Sequence, residues 1–260
     1  MIRGLDKFKE RFAGLADQYV LIGGTATYIL LTDAGLEPRA TKDLDIVLCL
    51  EALDAKFGKS FWDFVKEGNY ENYRGSKERP IFYRFTKPKN NSFPFMLELL
   101  SRAPDWMQPP EDIHLGPIPI DGDIPSLSAI LLDDDYYSFL HEHKIVLEEL
   151  SIVNVQGLIP LKALAWLKLT EQKSSGEQIQ STNIKKHRND ILRLQQLLVP
   201  DEIVSLPESI KNDMGRFLDA LAKAKNINLR QLGLGKTAEL TVIVERLKKI
   251  YAVEDRTPRL

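Results

Sequence analysis

Cysteine is almost absent: Cys49 is the single one in 260 residues. One thiol excludes an internal disulfide framework and fits a reducing compartment. Cys49 lies in apolar sequence and reads as core filling rather than as a nucleophile. Net charge is also small, at −2, so no global field draws the chain to nucleic acid. An RNA partner would need a local basic patch. No run reaches the ~18 uninterrupted apolar residues of a membrane span. The N-terminal stretch MIRGLDKFKERFAGL is charged and amphipathic and lacks the apolar core of a signal peptide. The cytoplasm is therefore the expected location, with no membrane partner. Histidine is scarce, with four in all. His141 and His143 flank Glu142, but no further His or Cys nearby completes a tetrahedral set, so no zinc is expected. No internal repeat is visible.

What is present is the mix of a globular protein, 43% hydrophobic and 28% charged. The length allows one large domain or two small ones. The organising stretch is 19–47. An apolar run, Tyr19 to Ile22, ends in Gly23-Gly24, and Thr25 to Leu31 can form a helix. Backbone N–H groups at such a helix start face an anion. Asp43 and Asp45 then flank Leu44 and lead into apolar Ile46-Val47-Leu48. In a strand, residues i and i+2 point to one side, so the two carboxylates share a face. That arrangement suits a divalent cation carrying a phosphate chain, since Mg²⁺ takes one or two carboxylates plus substrate phosphates. Arg39, Thr41 and Lys42 crowd just before the pair. Arg39 or Lys42 could reach a triphosphate; the plainer reading is a solvated loop.

Elsewhere the patterning predicts helices over 3–17, with Leu5, Phe8, Phe12 and Leu15 in phase, and over 51–67, with an apolar stripe from Leu53 to Val65. A polar stretch, 69–80, precedes a hairpin of 81–85 and 93–100. Glu98 sits inside the second arm, FPFMLELL. A carboxylate there is unfavourable unless it is paired, exposed on an edge strand or bound to metal. Residues 104–126 read as loop, and 127–132 as an apolar run. Asp133, Asp134 and Asp135 suit a turn better than a metal site. A hairpin around Glu148 to Leu150 closes the sheet-rich half. Residues 158–172 form a helix apolar nearly all round, interrupted by Lys162 and Lys168. Either lysine snorkels to water or serves as a fixed cation for phosphate. After a polar connector, 173–183, a helix over 184–198 carries Asp190 on the side of Leu194 and Leu197. Lys185, Lys186, His187 and Arg188 either touch RNA phosphate or form a solvated helix start. Further helices are expected over 201–223 and 237–251, and 254–260 as a frayed end. Gly233 to Thr237 is not a phosphate-binding loop of the GxxxxGKT kind: Arg230 stands where the first glycine belongs, and no strand leads in.

The order of apolar strand, Gly-Gly-Thr, helix, Asp-Leu-Asp and apolar strand resembles the core motif of the nucleotidyltransferase fold. Among its families it most resembles the AbiEii/AbiGii-type nucleotidyltransferases, which include toxins of toxin–antitoxin pairs. The resemblance implies an α/β (α+β) architecture: a polymerase-β-like mixed-sheet core over 1–155 and a helical domain over 156–260. It implies that Gly23, Gly24 and Thr25 hold nucleotide phosphates, with Arg39 beside them, and that Asp43 and Asp45 bind Mg²⁺ or Mn²⁺. A third acidic residue from a neighbouring strand corresponds to Glu98. The family's Lys-x-x-Ala helix matches Lys162 to Ala165, with Lys168 as the alternative lysine. Its late acidic residue in a basic context matches Asp190. The implied activity is transfer of a nucleoside monophosphate from an NTP to a hydroxyl of RNA, such as tRNA, or of protein, with release of pyrophosphate. A toxin role would imply a cognate antitoxin. Two other readings stay open: a nucleotide-binding interaction module without turnover, and a housekeeping transferase of small molecules, such as an antibiotic-type nucleotidyltransferase.

Overall fold

The structure is a computed structural model that describes residues 2–49, 53–75, 81–102 and 133–254, without the side chains of 72–75 and 81–82. The expected loop over 104–126, the apolar run 127–132 and nearly all of the frayed end lie outside the described residues. The protein is mixed α/β, with a seven-stranded sheet and, among the described residues, eight α-helices. It divides into two compact units. Within the described residues the first takes 2–29, 40–102 and 133–154, and the second takes 30–39 and 155–254.

The first unit holds the sheet. Its strands are β1 (Tyr19–Leu21), β2 (Asp43–Leu48), β3 (Tyr70–Gly75), β4 (Ile81–Pro88), β5 (Met96–Ser101), β6 (Lys144–Leu147) and β7 (Leu150–Val153). They lie in the order β3-β4-β5-β2-β1-β7-β6. β2 runs antiparallel to β1 and parallel to β5, and β1 runs parallel to β7. The expected hairpins are both present, β4 with β5 and β6 with β7. Glu148 (φ 48) and Glu149 (φ 66) make the tight turn of the second, the positive-φ geometry that matches strand twist.

Alternation along β2 decides which face is which. Leu44, Ile46 and Leu48 are buried, and the register places Leu21 and Tyr19 beside Ile46 and Leu48. Helices α1 (Leu5–Arg11) and α3 (Ala55–Gly68) supply aromatic partners for this unit's core. Phe8 meets Tyr19 edge-on at 5.3 Å and Phe64 at 5.9 Å, and Phe61 lies 5.9 Å from Phe85. Each such buried side chain stabilises the fold by roughly 2–3 kcal/mol. α3 starts where Asp54 accepts a hydrogen bond from the Phe57 N–H at 2.8 Å, the usual side-chain cap for an orphan helix donor.

Three expectations need correction here. α1 is shorter than 3–17, because Gly14 turns left-handed (φ 75) just after it. The polar stretch from 69 contains strand β3, which the sequence hid because an edge strand can be polar on both sides. The three aspartates are no free turn. Asp133 caps α4 (Asp134–Glu142) by accepting from the Tyr136 N–H at 3.1 Å, and Asp134 and Asp135 occupy its first turn, where the helix dipole favours anions. His141 and His143 therefore end a helix rather than line a strand. Their rings pack 4.3 Å from Tyr137 and Phe139 respectively.

The second unit is helical. Helix α2 (Gly23–Asp33) begins in the first unit and ends in this one. α5 (Val155–Ser174) is its centre, packing on α6 (Ser181–Leu194) and α7 (Glu208–Ala222), and α7 packs on α8 (Leu240–Ile250). α5 can be central because Leu158, Ile159, Leu161, Ala163, Leu164 and Leu169 bury different sides of it. The expected helix over 201–223 starts late, at Glu208, after Pro207. The preceding segment is irregular and ties Val204 N–H to the Ile250 carbonyl at 2.7 Å. Gly233 (φ 77) ends a 3₁₀ turn at 230–232, and no strand precedes it.

Candidate functional site

The candidate residues fall into one cluster in each unit. In the first unit the central pair is Asp43 and Asp45. Both are half-buried, on one face of β2, while Leu44 between them is fully buried on the other. α2 starts beside them for reasons written in the sequence. Gly23 has φ 61, and a Cβ built there would lie 1.9 Å from Asp45 Oδ2. No side chain fits at that position, so the carboxylate rests against bare Cα. The Ile22 N–H donates to the Asp45 carbonyl at 3.0 Å. The Thr25 hydroxyl donates to the Asp43 carbonyl at 2.6 Å, and the Thr27 hydroxyl donates to the Gly23 carbonyl at 2.8 Å.

These bonds give Thr25 a structural part. Expected as a phosphate contact, it is completely buried and fastens the first turn of α2 to the start of β2. Gly23 and Gly24 keep partial exposure. The helical ladder opens with Ala26 N–H donating to the Ile22 carbonyl at 3.2 Å, so the N–H groups of Gly23, Gly24 and Thr25 precede it. Such a helix start attracts anions, and the anion held against Gly23 is Asp45 itself. A phosphate brought to the same turn meets a carboxylate already there. A cation between the two would remove that repulsion.

Glu98 lies on the neighbouring strand in register with Asp45, and Arg84 is in register with Glu98 across β4. Strands in register share faces, so Asp45, Glu98 and Arg84 form one row. β5 lies between β2 and β4, and Glu98 is only 3% exposed. The edge-strand reading of Glu98 therefore fails. Its carboxylate is paired: Arg84 Nε donates to Oε1 at 2.6 Å, and Nη2 stands 2.5 Å from the same oxygen. Arg84 was missed as a candidate. The visible signal was an arginine within the otherwise apolar alternation of IFYRF. Lys42, just before Asp43, lies over the Phe95 ring at 4.6 Å.

The second unit holds Arg39, Lys162 and Asp190 in one ion cluster. Lys162 Nζ donates to Asp190 Oδ2 at 2.7 Å, and Arg39 Nε donates to Oδ1 at 2.9 Å and Oδ2 at 3.1 Å. Asp190 is fully buried and Lys162 is 2% exposed, whereas the Arg39 side chain keeps 28%. Burial alone would push the Asp190 carboxyl up, but the charges and hydrogen bonds of Lys162 and Arg39 outweigh it and hold the group below the usual carboxylate range. Asp190 is thus a fixed anion between two cations. Lys168 is different: it is exposed and lies 3.9 Å from Glu171, a solvated pair. α6 begins at Ser181, so Lys185 to Arg188 lie inside it rather than at its start; Lys185 is exposed, and Lys186, His187 and Arg188 are half-buried.

Among the described residues no group of three or more His, Cys, Asp or Glu is arranged to hold a metal ion, and no helix is long and apolar enough to cross a membrane. No protein-family model matches the sequence, and no curated protein matches it.

Proposed function

We propose that the protein is a metal-dependent nucleotidyltransferase with a polymerase-β-like core, of the AbiEii/AbiGii type. One observation carries the reading: two half-buried carboxylates, Asp43 and Asp45, share a strand face against the bare Gly23 turn that opens α2. A carboxylate and a helix start that both face one place suit a cation on a phosphate chain.

Asp43 and Asp45 would hold the ion, Mg²⁺ or Mn²⁺, which when bound neutralises charge on the triphosphate. Glu98 is already neutralised by Arg84, so it steadies the row rather than adding a ligand. Gly23 and Gly24 offer backbone N–H groups to the phosphates. In the transfer the acceptor hydroxyl oxygen bonds to the α-phosphorus. The bond from that phosphorus to the bridging oxygen breaks, pyrophosphate leaves with the electron pair, and the hydroxyl proton passes to water. The family resemblance gives Lys162 and Arg39 the part of fixed cations; within the second unit Asp190 holds both. Asp190, an anion kept ionised by both, positions them and is unsuited to act as a base. The acceptor is a hydroxyl of RNA, tRNA among the candidates, or of protein. A toxin role with a cognate antitoxin follows from the family resemblance.

The test is to incubate the protein with each of four α-labelled nucleoside triphosphates, Mg²⁺ or Mn²⁺, and total cellular RNA and protein, beside the Asp43→Ala/Asp45→Ala variant. Label in RNA or protein with the wild type alone supports the transferase and identifies nucleotide and acceptor. Label from neither protein favours a binding module without turnover. Growth arrest on expression that Asp45→Ala abolishes would support the toxin role.

A further inference from the structure

The second unit contains a pocket of about 290 Å³ that shares one residue, Arg39, with the clusters above. The segment 31–39, the end of α6 and the 3₁₀ turn after Leu229 form its walls. Its volume is at the small end of ligand sites, with room for one compact unit and not for an extended chain. Two arginines, Arg39 and Arg193, are among its lining residues. Asp190 clamps Arg39 through Nε, so this planar fork is oriented before any ligand arrives. Arg193 sits on α6 three residues after Asp190 and therefore on an adjoining part of the same helical face. Among the described residues its guanidinium makes one hydrogen bond, a long contact of 3.5 Å to the Asn189 carbonyl, and pairs with no carboxylate.

Paired guanidiniums recognise a phosphate dianion by forked hydrogen bonds. The remaining lining is not that of a bare anion site. Leu36, Pro38 and Leu232 give apolar wall, while Gln196 and Gln231 give amides. Gln196 donates one amide hydrogen to the Arg193 carbonyl at 3.1 Å. Its amide oxygen and second hydrogen still suit a heterocycle edge. Glu37, exposed at this lining, can accept from a ribose hydroxyl or an exocyclic amine. Phosphate, sugar and base each have a counterpart.

We infer that this pocket binds one nucleoside monophosphate unit, with its phosphate on Arg39 and Arg193 and its base against Leu232 and the two glutamines. The unit is either a free nucleotide or one residue of a single RNA strand. The inference does not rest on the transferase reading, since binding here needs neither metal nor triphosphate.

Calorimetric titration of the full chain in EDTA tests it. The probes are the four 5′-monophosphates, the matching nucleosides, inorganic phosphate and a single-stranded RNA hexamer. At least one monophosphate should bind, with its nucleoside and inorganic phosphate each about tenfold weaker or more, as expected when a charged hydrogen-bonded group is lost. Arg193→Ala should weaken binding by about tenfold to a hundredfold, and Gln231→Ala by less. Gln231 is exposed, so its variant keeps the test valid should Arg193→Ala not fold. Tighter binding of the hexamer than of any monophosphate identifies RNA as the source, and the reverse identifies the free nucleotide. Asp43→Ala/Asp45→Ala should bind the monophosphate as the wild type does. The inference is overturned if no monophosphate or RNA binds, if nucleoside or inorganic phosphate binds equally well, if the Arg193 and Gln231 variants bind unchanged, or if the Asp43/Asp45 variant loses binding.

Discussion

Asp45 and Asp190 are both aspartates at the heart of a cluster, yet their surroundings are opposite. Asp190 is fully buried and touches two cations, Lys162 and Arg39. Asp45 is half-buried, shares its strand face with a second carboxylate, Asp43, and lies against the start of a helix. The first environment is sealed from water around an ion cluster. The second places two carboxylates side by side on a half-buried strand face that solvent reaches. Losing one partner of a buried ion pair is strongly destabilising, whereas a half-exposed carboxylate pair adds little to stability. Stability and chemistry should therefore separate between the two clusters.

The largest effect is expected on activity. Asp43→Ala/Asp45→Ala should lower nucleotidyl transfer by about a thousandfold or more, the scale of losing a main electrostatic element, while the urea midpoint stays close to the wild type. An unfolded double variant would break the comparison. Asp190→Ala should do the reverse in kind. It leaves Lys162 buried without its anion, and about 3–5 kcal/mol of stability should be lost, measured by urea unfolding. A loss below about 1 kcal/mol, the scale of a surface pair, would show that Asp190 is not the cluster's counter-ion. Gly23→Ala sharpens the comparison from the other side: its Cβ would lie 1.9 Å from Asp45 Oδ2. Asp45 must shift, and both transfer and stability should fall, the latter by about 1–3 kcal/mol.

Smaller effects come from pH. The folded Asp190 carboxyl lies below its ordinary value. Its contribution is present above the unfolded value near 4 and is lost as pH falls through the folded value. Asp190→Asn should flatten that acid limb of the stability curve. At the other end, burial pushes the Tyr19 and Tyr83 hydroxyls up to about 12. Their contribution is whole below the unfolded value near 10 and is lost as pH rises toward 12. Tyr19→Phe should lessen the alkaline loss, read as the change in unfolding midpoint between neutral pH and pH ~11. Smallest of all, Lys168→Ala should change neither activity nor stability by more than about 0.5 kcal/mol, since its contact with Glu171 is a solvated pair.

The carboxylate face was legible because it depends on local rules. The two-residue spacing of Asp43 and Asp45 determines a shared strand face, and a Gly-Gly step after an apolar run marks a tight turn. The hairpins were legible for the same reason. What sequence alone hid depends on register and on distance along the chain. Arg84 meets Glu98 only because a particular hairpin register aligns them. Arg39 meets Asp190 across 151 residues, and no periodicity predicts that 30–39 clusters with the C-terminal helices. For Thr25, a hydroxyl beside glycines suits a phosphate as well as a neighbouring carbonyl, and the sequence alone does not show the bond it makes to Asp43.

The most direct test of the central claim is Mn²⁺ binding followed by electron paramagnetic resonance, with a non-hydrolysable nucleoside triphosphate present. Wild-type protein should remove Mn²⁺ from the free-ion signal at a stoichiometry of one or two. Asp45→Asn, which changes charge and little else, should leave the free signal unaltered at the same concentrations and with the same unfolding midpoint. Equal Mn²⁺ uptake by wild type and Asp45→Asn would contradict the assignment of Asp43 and Asp45 as the metal-binding pair.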